Sequence, residues 1–560
     1  MPPNVIPSAA LSWWTFFLAA ALSLPCAAQL APYEVFCVEF TDKHASPYTL
    51  LRPHDFLSAR SIERRRTQGI ALDEYDLPVD PAYLRSIAAA GGEIRLVSRW
   101  LNAAAVYAPD SLTRARIDSL PFVRRIYPLG YRRLPQKEKN FPRVVRDTSK
   151  ARADRYGYGA NQAFMLDMPY FHELGYRGAG IHVAIFDGGF ENVYRMPAFD
   201  TLFARHQILG TRDFVECDEY VYEDSGHGTD VLACMAANMP FRLIGTAPDA
   251  SYYLFKTEDT KGEFWIEEFN WVAAAEYADS LGVDVINSSL GYTGFRDTMM
   301  NYEYSRDLDG ETSIASRGAD IAVFKGIIVV NSAGNEGNKK WHYIGTPADA
   351  RNVIAAAATD ADGKKALFSS HGPSADGRIK PNLAAQGKDT YVASMLGLAV
   401  KTTSGTSFSA PVLAGAIASC RQALPNLPAL QFKHLLEIHA SQGENPDTLL
   451  GYGIPRFVRS WTYAMPHAWV FITPRADMHN RRMLPPNEDF TLWVQMPQRD
   501  SVDVEIYDPL GKLVFQTQRH YTPEFLDLCA VKIPSKTWTR GVYALRVRTQ
   551  GRTRFLSLWK

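Results

Sequence analysis

Four polar residues stand in settings that acyl-transfer chemistry requires. Asp187 closes the apolar run VAIFD ahead of Gly188-Gly189, and His227 sits between glycines in SGHGTDVLACMAA. Asn335 lies in VVNSAGNEG, and Ser407 opens the small-residue run of TSGTSFSAPVLAGAIA. Singly, each has an ordinary explanation: an Asp ends many strands, a Ser caps many helices, and an Asn before Glu-Gly makes a turn. Their combination asks for more. A serine hydroxyl is a weak nucleophile until a base takes its proton, and a neutral imidazole with a pKa near ~6.5 does so at physiological pH. A carboxylate must then hold the proton on the other ring nitrogen and stabilise the imidazolium. Glycines beside His227 permit close backbone approach, and a helix beginning at Ser407 aims N–H groups at a developing oxyanion. Asn335 adds a side-chain N–H to the same oxygen. The implied reaction passes through an acyl-enzyme, which hydrolysis and peptide joining share. A silent surface protein is the third alternative, and the presence of all four residues argues against it.

The elements that must position these residues are short apolar runs: HVAIFD, SYYLFKT, DVINSSLG, IIVVNSAGN and VIAAAAT. Each leads into a loop or a helical stretch, which predicts an α/β fold with a parallel sheet covered by helices. Such sheets bind ligands at the carboxyl ends of their strands, where Asp187 and Asn335 fall.

At this point the chain resembles the subtilisin-like serine proteases (subtilases, peptidase S8 family), over a domain expected at 157–465. The matching text is HGT at His227 to Thr229, SSLG at Ser288 to Gly291, SAGNEG at Ser332 to Gly337 and GTSFSAP at Gly405 to Pro411. GTAPDA, FSSHGP and KPNLAAQG add support. The order Asp, His, Ser is the subtilisin order. The resemblance implies a serine endopeptidase with Asp187, His227 and Ser407 as triad and Asn335 in the oxyanion hole. It also implies that Ser289, Leu290 and Gly291 pair with the substrate backbone as an added strand. Ser332, Ala333, Gly334 and Gly345 would line the S1 pocket, small and without an acidic residue, which favours large apolar P1 side chains. Two departures stand out. The family usually has Ser or Thr where this chain has Gly188, and Asn382 and Gln386 replace a usual Asp and Pro.

The flanks read differently. Residues 1–28, with an apolar run from Trp13 to Leu24 and Cys26-Ala27-Ala28 at its end, are expected to be a signal peptide. Residues 29–133 follow the pattern β, α, α, β, β, α, β, an α+β unit resembling the inhibitory propeptide of subtilases, with LNAAAVYAP and FVRRIYP as neighbouring strands. Residues 134–156 are rich in Lys and Arg and read as a cleavable linker. Residues 466–560 alternate as antiparallel strands and form an expected β-sandwich resembling the sorting domain of type IX secretion. The chain is thus expected to be exported through the periplasm and secreted or held at the cell surface, with protein or peptide substrates, its own propeptide and the type IX machinery as partners.

Sixty basic and sixty acidic residues balance, so no long-range field collects nucleic acid, and no nucleic-acid partner is expected. The cluster Arg64, Arg65 and Arg66 reads as a solvated face. Cys217 and Cys234 are the only cysteines close enough in sequence to suggest a bridge. No cofactor is expected, and no acidic loop has calcium-loop spacing, so a structural calcium ion stays an open question.

Overall fold

The computed structural model describes residues 33–44, 46–132, 154–394, 399–464, 470–473, 489–495, 500–521, 528–549 and 552–559. The expected signal peptide and most of the expected linker lie outside these.

The N-terminal unit follows the element order read from the sequence. Its strands are β1 (Tyr33–Phe40), β2 (Glu93–Ser98), β3 (Ala103–Ala108) and β4 (Val123–Arg132), and its helices are α1 (Ala59–Gln68), α2 (Pro81–Ala89) and α3 (Ser111–Asp118). The antiparallel sheet has the order β2-β3-β1-β4. LNAAAVYAP and FVRRIYP are therefore not neighbours, because β1 lies between them. The reason is burial on both faces. Val38 and Phe40 join Ile87 of α2 and Ile117 of α3 in one cluster, while Val35 and Cys37 face the large core of the next unit. A strand apolar on both sides belongs in the middle of a sheet, with both edges paired.

The arginine cluster is not the solvated face its sequence suggests. Arg64 and Arg65 are buried, at 5% and 2% exposure, and only Arg66 fits the solvated face expected for the cluster.

The central unit is a seven-stranded parallel sheet. Its strands are β5 (His182–Asp187), β6 (Ile208–Asp213), β7 (Ser251–Lys256), β8 (Val285–Ser288), β9 (Ile328–Ser332), β10 (Ile354–Thr359) and β11 (Leu383–Gln386). The order is β11-β10-β9-β8-β5-β7-β6. The helices pair over it: α4 (His227–Ala236) packs with α7 (Thr406–Ala423), and α5 (Trp265–Leu281) with α6 (Ile314–Phe324). Strands β2 and β4 of the N-terminal unit rest against α5. A further helix, α8 (Ala429–Ile438), follows α7. No disulfide joins Cys217 to Cys234: the first is exposed and the second buried.

The C-terminal region forms two antiparallel sheets, as expected of a sandwich. One holds β12 (Val470–Thr473), β13 (Phe490–Gln495) and β16 (Leu528–Ile533); the other holds β14 (Asp500–Tyr507), β15 (Leu513–Tyr521), β17 (Val542–Thr549) and β18 (Arg552–Trp559). Leu492, Val494 and Val531 of the first meet Val504, Ile506 and Leu545 of the second in a core of their own.

Candidate active site

Asp187 is the last residue of β5, and its neighbours decide what can reach it. A Cβ placed at Gly228 would lie 2.4 Å from the Gly189 carbonyl oxygen and 3.0 Å from Asp187 Cβ. Only glycine lets the first turn of α4 come so close, and that approach brings the imidazole of His227 onto the carboxylate. His227 Nδ1 lies 3.0 Å from Asp187 Oδ1 and 2.9 Å from Oδ2. Asp187 is 1% exposed, whereas the His227 side chain is 37% exposed, so the carboxylate sits behind a ring that still meets solvent. Burial disfavours the imidazolium, but the charge and hydrogen bond of Asp187 outweigh it and raise the His227 pKa above its ordinary value.

The missing hydroxyl at position 188 is replaced by main chain. Gly188 N–H donates to Asp187 Oδ1 at 2.8 Å. A Cβ at Gly188 would stand 2.8 Å from the Thr260 methyl, so Thr260 occupies the space a side chain there would need.

Ser407 is the second residue of α7 and is buried. Its Oγ donates to the Ser289 carbonyl at 3.3 Å, and Ser289 Oγ donates back to the Ser407 carbonyl at 2.9 Å. The Phe408 ring lies 5.5 Å from the His227 ring, centroid to centroid. Asn335, just beyond β9, is held by its oxygen: Oδ1 accepts from Thr406 N–H at 2.9 Å and from Thr406 Oγ1 at 3.1 Å. That leaves Nδ2 as the donor turned toward the start of α7, 3.6 Å from where a Cβ on Gly405 would stand.

The structure also brings together the segments expected to bind substrate. Ser332 Oγ donates to the Leu290 carbonyl at 3.2 Å, Gly334 N–H to Thr406 Oγ1 at 3.1 Å, and Gly345 N–H to the Ala333 carbonyl at 3.3 Å. Gly291 is exposed beside them, and Ala333 is fully buried with Ile344, Ala348 and Ala355. Ala333 thus forms the floor of this region more than its lining.

Sequence reasoning missed the carboxylates beside Asp187. Glu258, Glu263 and Glu267 bring oxygens within 4.8 Å of one another. Burial, then the charge of Glu263, pushes the Glu258 pKa up to about 8, with Asp187 adding to the rise. Tyr292 and Thr257 hydroxyls donate to Glu258 Oε1, while both Glu267 oxygens accept main-chain N–H groups. These oxygens are occupied by protein donors, and the raised pKa favours the protonated form of Glu258. The run TEDTKGEFWIEE is rich in acidic residues, and only burial in the folded chain sets Glu258 and Glu267 apart from solvated carboxylates.

Comparison with known proteins identifies related chains. The Subtilase family model matches residues 178–453, and the Peptidase S8 propeptide domain of Bacteroidota matches residues 35–142. The chain is 30% identical over 288 residues to Subtilisin of Bacillus pumilus, covering 51% of this chain and 91% of that protein. It is 30% identical over 288 residues to Subtilisin E of Bacillus subtilis (strain 168), where the match spans 51% of this chain and 66% of the relative. Among solved structures, MycP1 with its N-terminal propeptide removed is similar at 22% identity and a TM-score of 0.44, over 54% of this chain and 96% of that one. The 30% identity to a subtilisin covered over 91% of its length shows that the chain belongs to the subtilase family.

Proposed function

We propose that the chain is the precursor of a secreted serine endopeptidase that cuts peptide bonds through an acyl-enzyme. The observation that carries the reading is the contact of His227 Nδ1 with both oxygens of a buried Asp187, beside a serine at the start of α7. In the reaction Ser407 Oγ leaves the Ser289 carbonyl, gives its proton to His227 Nε2 and attacks the substrate carbonyl carbon. Asn335 Nδ2 donates to the oxyanion as charge develops there. His227 passes its proton to the departing amine. Water then takes the amine's place, and the same proton path, run again, frees Ser407. Ser289, Leu290 and Gly291 pair with the substrate main chain, and Ser332, Gly334 and Gly345 border a pocket for large apolar P1 side chains.

Residues 29–133 serve as the enzyme's own inhibitor. Their last strand supports this: a Cβ on Gly130 of β4 would lie 2.8 Å from Phe264 Cβ, at the loop that also carries Thr260. The expected signal peptide at 1–28 takes the chain to the periplasm. The C-terminal sandwich directs it onward through type IX secretion to the surface or medium. A fluorophosphonate probe tests the central claim. Matured enzyme should be labelled at Ser407 and the Ser407→Ala chain should not; an unlabelled wild-type enzyme would remove the nucleophile.

A further inference from the structure

Helix α1 has no part in the cleft, yet it carries two buried arginines, Arg64 and Arg65, at 5% and 2% exposure. Ser58 caps it by accepting from Ser61 N–H at 3.1 Å, and Gly69 ends it. From this short helix Arg64 and Arg65 both reach Asp279, near the end of α5. Arg65 Nη2 is 2.8 Å from Asp279 Oδ2 and 2.6 Å from Asp76 Oδ1, and Arg64 Nη2 pairs with Asp279 Oδ1. Arg99, after β2, adds a third guanidinium at 2.6 Å from Asp279. Burial alone would raise the Asp279 pKa, but these three cations hold it down to about 2, so the cluster stays ionised at any physiological pH.

The same surface binds by matched polarity elsewhere. Lys325, just past α6, pairs with Asp73 at 2.6 Å and Asp76 at 3.0 Å. The Gln68 amide donates to the Gly326 carbonyl at 2.8 Å and accepts from Ala429 N–H, at the start of α8, at 3.0 Å. The cleft end of the N-terminal unit meets Phe264, which precedes the first turn of α5. Asp279 is fifteen residues further along, about 22 Å at the rise of an α-helix.

We propose that the end of α5 together with Lys325 and Gly326 forms a second docking site, remote from the cleft, for helix α1 and its buried Arg64 and Arg65. This rests on the reading of residues 29–133 as an inhibitor and gives that inhibitor a second hold. The anchor lies wholly outside the linker, so it survives the cut and adds its own hold on the fragment to that of the cleft end. The site also selects its partner. A propeptide lacking either arginine leaves Asp279 buried against too little positive charge, and breaking one side of a buried pair is far more damaging than never having built it.

The test uses the full chain, matured by its own activity. Size-exclusion chromatography follows the fragment, and peptide hydrolysis after serial dilution gives the concentration at which half the activity appears. In the wild type the fragment should co-elute with the enzyme, and dilution should release activity slowly. Arg65→Met and Asp279→Asn should each raise the half-activity concentration by about 100-fold or more. The double variant should do less than the product of the two. Arg66→Met, which loses only an exposed pair with Glu63, should stay within about threefold of wild type. Fully activated Arg65→Met enzyme should match wild type in kcat/KM, since Arg65 leaves with the fragment. If Arg65→Met blocks folding, Arg65→Lys keeps the charge, loses the fork, and should still shift the midpoint about tenfold. Variants that hold the fragment within threefold of a latent wild type would overturn the anchor alone. A wild-type enzyme active as soon as the linker is cut would instead overturn the inhibitor reading beneath it.

Discussion

Ser407 and Ser289 hold each other by two opposed hydrogen bonds, Ser407 Oγ to the Ser289 carbonyl and Ser289 Oγ to the Ser407 carbonyl, at 3.3 and 2.9 Å. Ser407 Oγ therefore rests on main chain, and among the described residues it makes no hydrogen bond to His227. The longer of the two bonds is the one the reaction must break, which keeps the rotation inexpensive. Such looseness without substrate is common in catalytic groups that tighten only in the Michaelis complex. Ser407→Ala should lower kcat on the order of 10⁶-fold, the scale known for a subtilisin nucleophile. Single-turnover hydrolysis of a peptide substrate measures it, and activity within tenfold of wild type would exclude Ser407.

Asn335 offers a cleaner separation of binding from catalysis, because its oxygen is tied to Thr406 while its nitrogen is left for the proposed oxyanion contact. Asn335→Ala should cost ~10² to 10³ in kcat with little change in KM. Thr406→Val removes one of the two bonds that orient the amide and should cost less, about tenfold. A larger loss for Thr406→Val than for Asn335→Ala would show that positioning, not donation, is what Asn335 supplies.

The pH profile follows from the raised pKa of His227. Protonated His227 cannot accept the Ser407 proton, so kcat/KM should rise with pH through a midpoint above the ordinary histidine value of ~6.5. Asp187→Asn removes the charge that raises it and should move the midpoint down while lowering kcat by about 10⁴. Stability runs the other way. The His227–Asp187 pair contributes fully below the unfolded histidine pKa and loses its contribution as pH rises through the folded value. The pH that activates the enzyme is thus the pH at which this pair stabilises it least.

Why the triad was legible and its surroundings were not has a physical cause. Asp187, His227, Asn335 and Ser407 each lie in a short local motif whose glycines and small residues permit close approach. Gly228 is one such case, because its missing Cβ is what admits the Gly189 carbonyl. Five of the seven core strands are equally readable from their apolar runs. By contrast, Arg64 and Arg65 look like solvent-facing residues until Asp279, more than two hundred residues away, is folded against them. Glu258 and Glu267 likewise look exposed until Tyr292 and the turn before α5 cover them. The placing of β1 between β3 and β4 is a long-range choice too, set by which faces find cover.

Glu258 makes a second stability prediction. Burial and neighbouring charge raise its pKa to about 8, so between the ordinary glutamate value of ~4.3 and pH 8 the folded protein keeps a proton that the unfolded chain has lost. Stability should fall across that window by at most about tenfold in the folding equilibrium per pH unit from this group. Glu258→Gln keeps the hydrogen-bonding shape without the charge. Its melting temperature should exceed wild type by more at pH 8 than at pH 5, with kcat at pH 7 within about threefold. An equal shift at both pH values would mean that Glu258 is ionised throughout.

The last prediction concerns the C-terminal sandwich. Every residue assigned to the site lies between Asp187 and Ser407, and the sandwich builds its core from Leu492, Val504, Leu545 and their neighbours, apart from the core of the parallel sheet. A chain ending at residue 465 should therefore mature and hydrolyse peptides within about threefold of the full protein. What it should lose is its destination. A signal peptide alone carries a chain across the inner membrane, so in a host with type IX secretion the shortened protein should collect in the periplasm. Activity and cell fractionation, measured on the same cultures, separate the alternatives. Normal amounts of the shortened chain at the surface or in the medium would end the sorting role. A shortened chain that neither folds nor hydrolyses peptide would instead make the sandwich a structural part of the enzyme.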